Sequence, residues 1–508
     1  MTPLVMVLSS WALAATPGAE RAREVIALEQ GFVEERAGAV GAVPWWRSID
    51  DPALAPLIRQ ALQGGSNVVI SVARQEQAMR DAQGSLAPLL PRLTFDVGAS
   101  GSPTDALGFQ FGGLSGPSTA NVLVGMETLQ DINGDGIPDI ALDPAYVSVD
   151  IPQEDTADLT WNGSALLNAS WAVNFWGSSL QQHQASRHLA RASQGDTEAA
   201  ALATATMVAG AWYDLVMTNA QRRLVSEQVT ANAQLLELVE LRYNGGEASG
   251  LEVLQQRQQL AATEAMLPAV DQGVSRALLR LAVLLGKPAK SLLTDFSPGD
   301  ELPALPPAPP TGSPEDLLYN RPDVVAVVER LDAAWYSRRS ADRAFLPTLG
   351  LSANAGWQYF RQDELTSTDI WGIGASASVP LFNGGRNLAA SRSARAGERA
   401  TSLQVEQAVR LAVQEVDDAL LFEKQAAAEL AARQRQIEAA RGAYDAARDR
   451  YIQGLVNLTT MLQTLTALQN AELSLIQSQR TVLSARIALH DALGGTWMRD
   501  GLLEGPTR

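Results

Sequence analysis

Four segments of the chain alternate apolar residues with polar or small ones at a period of two. They are residues 93–99, 167–175, 349–359 and 371–381. Such alternation predicts β-strands with one apolar face. The segments have about ten residues and carry Trp, Phe or Tyr near their ends, which is the length and the aromatic placement of a transmembrane β-strand.

Longer segments have the spacing of helices. Residues 179–243 and 387–451 are predicted as single helices of about 60 residues, roughly 90 Å long. Each is followed by a glycine-containing turn and a second helix of about 40 residues. Helices of this length need partners along their whole length, as in a coiled coil. Shorter helices are predicted at about 53–87 and 314–344, before Pro91 and Pro347.

Heptad spacing supports the coiled-coil interpretation. Apolar residues step by three and four along both second helices, at Leu267, Val270, Val274, Ala277, Leu281 and Leu284 and at Leu458, Met461, Leu465 and Leu468. Pro268 predicts a kink at the start of the first of these seams.

The two halves of the chain form an internal sequence repeat. Arg242, Tyr243 and Gly246 in the first half correspond to Arg450, Tyr451 and Gly454 in the second. Each tyrosine precedes a Leu-Gly pair whose glycine lies 43 residues later. An ancestral duplication explains this spacing better than chance.

These patterns divide the chain into parts. They are a candidate signal peptide (1–15), an N-terminal extended segment (16–52), a first structural repeat (53–286) with an extracellular insertion (101–160), a Pro-rich linker (287–313), a second structural repeat (314–494) and a C-terminal tail (495–508).

Four strands are too few to close a membrane barrel, since the smallest known barrels have about eight. The sequence therefore predicts an α+β membrane protein in which the barrel is shared between chains, and a homotrimer supplies 12 strands. A soluble coiled-coil scaffold is the alternative, but it leaves the four strand segments unexplained.

Composition excludes several classes of function. The net charge is −17, with 39 basic and 56 acidic residues, which argues against a nucleic-acid partner. The absence of cysteine excludes disulfides, thiolate metal sites and thiol catalysis, and three histidines leave little room for a histidine metal site. No P-loop, nucleophile elbow or dinucleotide fingerprint appears, so no enzyme activity is predicted.

The N-terminus has two interpretations. Residues 4–15 are apolar and end in an Ala-x-Ala pattern, as a signal peptide does, but no basic residue precedes them. The alternative is merely an apolar N-terminus. Beyond it, no stretch reaches the 18 or so consecutive apolar residues of a transmembrane helix.

The chain resembles the TolC-like outer-membrane efflux proteins, in the NodT-like branch that serves resistance-nodulation-division (RND) pumps. The residues that carry the resemblance are Trp45-Trp46-Arg-Ser-Ile-Asp50-Asp51-Pro52, Leu318-Tyr-Asn-Arg321-Pro322-Asp323-Val, Val379-Pro-Leu-Phe-Asn-Gly-Gly385-Arg386 and the paired Arg-Tyr-x-x-Gly turns. They extend from about residue 44 to 495.

The resemblance implies a homotrimeric conduit, with a 12-stranded barrel among the lipids of the Gram-negative outer membrane and an α-helical barrel in the periplasm. Residues 287–313 and 495–508 would form an equatorial belt around the helices. The implied partners are a periplasmic adaptor (membrane-fusion) protein and an inner-membrane RND-type pump. The entrance and adaptor contacts would be Arg242, Tyr243, Gly246, Arg450, Tyr451 and Gly454. Alternatively, the two glycines simply provide turns.

The chain departs from the family pattern in two ways. The lipidated cysteine that branch members usually carry is absent. The family's ring of pore carboxylates lies about nine residues after the turn glycine, where this chain has Gln463, with Thr459 and Thr460 nearby. We therefore predict a constriction without that acidic ring.

Glu252, six residues after Gly246, is a further candidate for the gate. It is predicted to hydrogen-bond Tyr451 and hold the entrance shut. The alternative is a solvated carboxylate on a helix face.

The insertion contains a calcium-like pattern. Asp131, Asn133, Asp135 and Asp139 occupy positions 1, 3, 5 and 9 of a loop with Gly136 at position 6. This spacing suits Ca²⁺, but position 12 is Leu142 rather than the bidentate Glu of an EF-hand. An Asp/Gly-rich surface turn is the alternative. No other cofactor is predicted.

The sequence thus predicts the outer-membrane channel of a tripartite efflux system, a passive duct for small molecules. The nearest alternative is the outer-membrane duct of a type I protein-secretion system, which a neighbouring pump gene would exclude. A calcium-dependent adhesin is a weaker alternative, because the loop occurs once.

Overall fold

The computed structural model describes residues 20, 31–36, 38, 43–103, 119–130, 139–150, 159–288, 290, 299, 301–361 and 365–499; of residues 101–103, 119–130, 139–150, 159–161, 361, 365 and 499 it describes the backbone only. Two compact units are present. One comprises Met1–Ala87, Asn174–Pro347 and Val379–Arg508, and the other Pro88–Val173 and Thr348–Ser378.

The first unit is helical. The α-helices with described bounds are α1 (Leu54–Gly64), α2 (Ser66–Gly84), α3 (Ser178–Asn244), α4 (Gly250–Glu264), α5 (Leu267–Leu284), α6 (Leu317–Asn320), α7 (Pro322–Asp342), α8 (Arg386–Ile452) and α9 (Leu458–Leu493). The predicted long helices correspond to α3 and α8, which have 67 residues each. Equal lengths in the two halves agree with a duplicated unit.

The helices pack through the predicted seams. Leu458, Met461, Leu465 and Leu468 of α9 are all buried. In α5, Ala277 and Leu281 are buried, and the remaining seam residues are half-buried. One large core joins both repeats; it includes Leu54 and Ile58 of α1, Trp212 and Leu215 of α3, Leu281 of α5, and Leu483 and Ile487 of α9.

The segment predicted as one helix at 53–87 is instead divided. Gly65 separates α1 from α2 with an extended backbone, φ −68° and ψ 130°. A Cβ at Gly65 would lie 2.4 Å from the carbonyl oxygen of Ala61 and 3.1 Å from that of Leu284. The break therefore lets the chain pass close to the end of α5. The hydrophobic periodicity of residues 53–87 does not predict this contact. The break between α4 and α5 falls just before Pro268, where a kink was predicted.

The second unit is a four-stranded antiparallel sheet in the order β1-β4-β5-β6, with a separate hairpin of β2 and β3. The strands are β1 (Arg92–Pro103), β2 (Thr119–Gln130), β3 (Asp139–Asp150), β4 (Leu159–Val173), β5 (Thr348–Arg361) and β6 (Leu365–Ser378). The four predicted strands are those of the larger sheet. The β2–β3 hairpin lies in the insertion, where no strand was predicted.

The register puts the apolar positions on one face of the sheet. Leu93 pairs with Ala169, Trp171 with Leu351, and Ala355 with Trp371. Leu93, Val97, Trp371 and Ile373 are all more than 60% exposed in the single chain. The opposite face carries Asn and Ser side chains, and Asn168 donates to Asp96 Oδ2 at 2.7 Å. One apolar and one polar face are typical of a barrel strand between lipid and water.

Among the residues that the structure describes, one helix is long and apolar enough to cross a membrane by length and composition. It is α3, whose most apolar 18-residue window has a mean hydropathy of 1.3 and is 61% buried. Core helices give the same weak signal, and α3 packs against α2, α4, α5, α7 and α9. We therefore assign α3 to the helical core.

Candidate channel entrance

Both long helices end in the same kind of turn. The N–H of Glu247 donates to the carbonyl of Arg242, and the N–H of Leu455 donates to that of Arg450, each at 2.8 Å. The glycine inside each turn is left-handed, with φ +80° at Gly246 and +69° at Gly454. This combination is the Schellman motif. Its left-handed position would strain any residue that has a Cβ, so glycine is favoured there. The two glycines thus provide the turns.

The helices that follow begin with equivalent caps, each three residues after the glycine. The N–H of Glu252 donates to the side chain of Ser249 at 3.3 Å. In the second repeat, the N–H of Thr460 donates to Asn457 Oδ1 at 2.9 Å. These caps end the turns and place Glu252 in the first turn of α4, where the helix dipole favours a carboxylate. The Ser-x-x-Glu spacing at 249–252 is a sequence signal for such a cap, although the cap was not among the predicted features.

Tyr451 joins the two turns. Its hydroxyl donates to Glu252 Oε2 at 3.0 Å. The guanidinium of Arg242 lies over its ring, with 4.7 Å between Cζ and the ring centroid. Arg242 Nη1 also donates to the carbonyl of Tyr451 at 3.2 Å. The predicted hydrogen bond between Glu252 and Tyr451 is therefore present, and Glu252 is half-buried rather than fully solvated.

The environment of Tyr451 keeps its hydroxyl protonated. The residue is 3% exposed. It packs in an apolar cluster with Val239, Val253, Ala447, Leu458 and Met461. Burial, reinforced by the hydrogen bond to Glu252, raises the pKa of Tyr451 to about 12. The hydroxyl thus remains a hydrogen-bond donor throughout the physiological pH range.

The two repeats are not equivalent at this site. Tyr243 occupies the position of Tyr451 but is 51% exposed. Arg450, the counterpart of Arg242, is also exposed. The counterpart of Glu252 is Thr460, whose hydroxyl donates to Asn457 Oδ1 at 2.7 Å. Within one chain, therefore, only one of the two possible arginine–tyrosine pairs is formed between the turns.

The remaining candidate gate residues lie on exposed positions of α9. Thr459 makes a long contact of 3.5 Å with Gln255 Oε1. Gln463 is exposed, one turn further along. Their role in a constriction stays a prediction.

The calcium-like pattern falls largely outside the described residues. Asp131, Asn133 and Asp135 belong to residues 131–138, which the structure does not describe. Asp139 is the first residue of β3 and pairs with Gln130. Calcium binding stays a prediction.

The chain was compared with known proteins. The sequence profile of the family described as outer membrane efflux protein matches residues 138–287 and 313–495. The pyoverdine export outer membrane protein OpmQ of Pseudomonas aeruginosa is 28% identical over 466 residues, which cover 92% of this chain and 90% of OpmQ. The cation efflux system protein CusC of Escherichia coli is 25% identical over 342 residues, which cover 66% of this chain and 72% of CusC.

Solved structures share the fold. The outer-membrane channel OprN superposes with a TM-score of 0.74 at 24% identity, covering 97% of this chain and 99% of OprN. The outer membrane protein VceC of Vibrio cholerae gives a TM-score of 0.73 at 24% identity, covering 90% of this chain and all of VceC. The predicted fold class, with four barrel strands per chain and long helices, is confirmed.

The profile match covers more than half of the chain and both of its repeats. The chain therefore belongs to the outer membrane efflux protein family, and it is the outer-membrane channel component of an efflux system.

Proposed function

We propose that three copies of this chain form a passive exit duct for small molecules, closed at its periplasmic entrance by the contact among Arg242, Glu252 and Tyr451. The observation that carries this proposal is the partly buried hydrogen bond between Tyr451 and Glu252, which ties the start of α4 to the end of α8. Separating those helices requires this bond to break, so it suits a closed state.

The sheet supports an assembly of copies. Among the described strands of the larger sheet, β1 and β6 each have a single partner. Long apolar edge strands are a liability unless another strand covers them. Pairing β6 of one copy with β1 of the next covers every edge, and three copies give the 12 strands predicted from the sequence.

The energy for transport is supplied by partner proteins. The sequence has no nucleotide-binding motif, so energy for transport comes from an inner-membrane pump of the RND type, reached through a periplasmic adaptor. The exposed Tyr243 and Arg450 offer polar and aromatic surface at the turns for the adaptor. Relatives named for the export of pyoverdine and of cations favour small cargo over secreted protein.

Single-channel recording in planar bilayers tests the closed contact. Tyr451→Phe keeps the ring under Arg242 but removes the hydroxyl, and Glu252→Gln removes the charge of the acceptor. A hydrogen bond to a charged group contributes about 1.5–3 kcal/mol, so each variant is expected to shift the equilibrium between closed and open by roughly tenfold or more per chain. Mean conductance should rise several-fold in both variants.

Tyr444→Phe is the matched control. It removes the same hydroxyl from a half-buried tyrosine of the same cluster, two helical turns earlier on α8. Its conductance should equal that of the wild type. Unchanged traces in Tyr451→Phe and Glu252→Gln would contradict the closing role, and so would an equal rise in all three variants.

A further inference from the structure

Three side chains with metal-binding atoms meet between α3 and α7. His188 lies on α3, and Glu329 and Asp332 lie on α7. The two carboxylates are three residues apart, which places them on one face of their helix. Their proximity is not apparent from the sequence, since 141 residues separate His188 from Glu329.

The donor atoms are close enough to share one ion. His188 Nδ1 lies 2.7 Å from Glu329 Oε2 and 3.8 Å from Asp332 Oδ2. One donor atom from each of the three residues falls within 4.8 Å of the others. Tetrahedral ligands at about 2.1 Å from a zinc ion are about 3.4 Å apart, so small side-chain rotations suffice.

The site is buried, and burial makes charge balance important. His188 is 6% exposed, Glu329 5% and Asp332 0%. Buried charges are costly unless they are paired or coordinate a metal. A divalent cation bound by all three side chains would balance the charges of both carboxylates.

The surroundings hold the ligands in place. The ring of Tyr336 stacks on that of His188, with centroids 5.1 Å apart and 20° between the planes. Seven residues after His188, Gly195 packs directly on α7, where a Cβ would lie 3.0 Å from both Ala326 Cβ and the carbonyl of Pro322. Two helices in such close contact form a rigid scaffold for a metal site.

We propose that His188, Glu329 and Asp332 bind one divalent transition-metal ion per chain, which clamps α3 to α7. One imidazole and two carboxylates without a thiolate suit Zn²⁺, and Co²⁺ binds such ligand sets as a spectroscopic substitute. The site is structural and independent of the closing contact at Tyr451.

The test uses the full-length protein, purified from the outer membrane in detergent and stripped with EDTA. Titration with Co²⁺ is expected to give visible d–d absorption that saturates at one ion per chain, and Zn²⁺ should abolish it. Added Zn²⁺ should also raise the melting temperature. His188→Gln and, separately, Glu329→Gln should lose the absorption and the thermal shift.

His183→Gln is the control, because His183 lies five residues earlier on α3 and contacts Ser85 instead, 2.8 Å from His183 Nδ1 to the hydroxyl. It should bind Co²⁺ as the wild type does. Size-exclusion chromatography verifies that each variant is folded. Absence of saturable Co²⁺ absorption in the wild type, or loss in His183→Gln equal to that in His188→Gln, would overturn the proposal.

Discussion

Tyr451 and Tyr243 occupy equivalent positions in the two repeats, yet one is 3% exposed and the other 51%. The motif around each tyrosine predicts the turn, since the glycine and the helix ends are local. It does not predict which tyrosine is buried, because burial depends on the helices from the other repeat. Glu252 was identifiable as a candidate partner of Tyr451 because it remains near the turn, six residues after Gly246, where the family's acidic ring at Gln463 is absent.

A substitution at the turn glycine should cost stability. Gly454 has φ +69° and no neighbouring atom within 4 Å of a Cβ, so Gly454→Ala meets backbone strain rather than a steric clash. We expect a loss of about 1–2 kcal/mol, measured as a lower melting temperature in detergent.

Gly442→Ala provides the matched comparison. Gly442 lies inside α8, also with nothing within 4 Å of a Cβ. In a helix interior the same change should stabilise by about 0.5–1 kcal/mol. Opposite signs are expected for the two substitutions, and equal effects would contradict the assigned turn geometry.

His490 should make stability depend on pH. Burial, together with the nearby Arg486 guanidinium, lowers the pKa of His490 to about 4. Its ring is stacked on Trp45, 5.4 Å between centroids. Because the unfolded histidine has a pKa near 6.5, the folded state binds fewer protons, and stability present above pH 6.5 is lost as the pH falls toward 4.

The loss should reach about 3 kcal/mol per chain at most. Melting temperatures across this pH range should fall less steeply in His490→Gln than in the wild type. An unchanged slope would show that other groups cause the acid sensitivity.

At the scale of elements, Arg321 connects three helices. It follows α6 and occupies the N-cap position of α7, and its Nε donates to Asp323 Oδ1 at 2.9 Å. Its other nitrogens reach Glu415 of α8 and the carbonyl of Ala492 in α9, the latter at 3.2 Å. Arg321→Ala should therefore destabilise the chain by about 2–3 kcal/mol, because the buried carbonyl loses its charged donor.

Arg330→Ala serves as the comparison for Arg321→Ala. Arg330 pairs with Asp196, but both side chains are well exposed, at 39% and 47%. Exposed ion pairs contribute less than about 1 kcal/mol. Similar losses of melting temperature for the two variants would contradict the role given to Arg321.

Some elements are encoded by a pattern within their own segment of sequence, and others depend on contacts with distant segments. The strands of the larger sheet were predictable because their alternation persists over several residues, and the 67-residue helices were predictable because a helical pattern persists over many. The β2–β3 hairpin was missed because the second repeat has no counterpart with which to compare the insertion. The helix break at Gly65 and the cluster at His188 depend on contacts with distant segments, which periodicity does not reveal.

At the scale of the whole molecule, the single chain is incomplete. The apolar side chains of β1 and β6 are exposed, as at Val97 and Ile373, and these strands are the edges of the sheet. Lipid accounts for the exposed face, but backbone groups at an edge need hydrogen bonds from another strand. In the proposed trimer, strands of the neighbouring copies meet that need.

The mass of the assembly in detergent tests this account most directly. The chain of 508 residues has a mass of 54.1 kDa. Light scattering, corrected for bound detergent, on protein extracted from the outer membrane should give a protein mass three times that of the chain, about 162 kDa. A soluble particle that never requires detergent, or a monomer in the membrane extract, would contradict the shared barrel and the duct built on it.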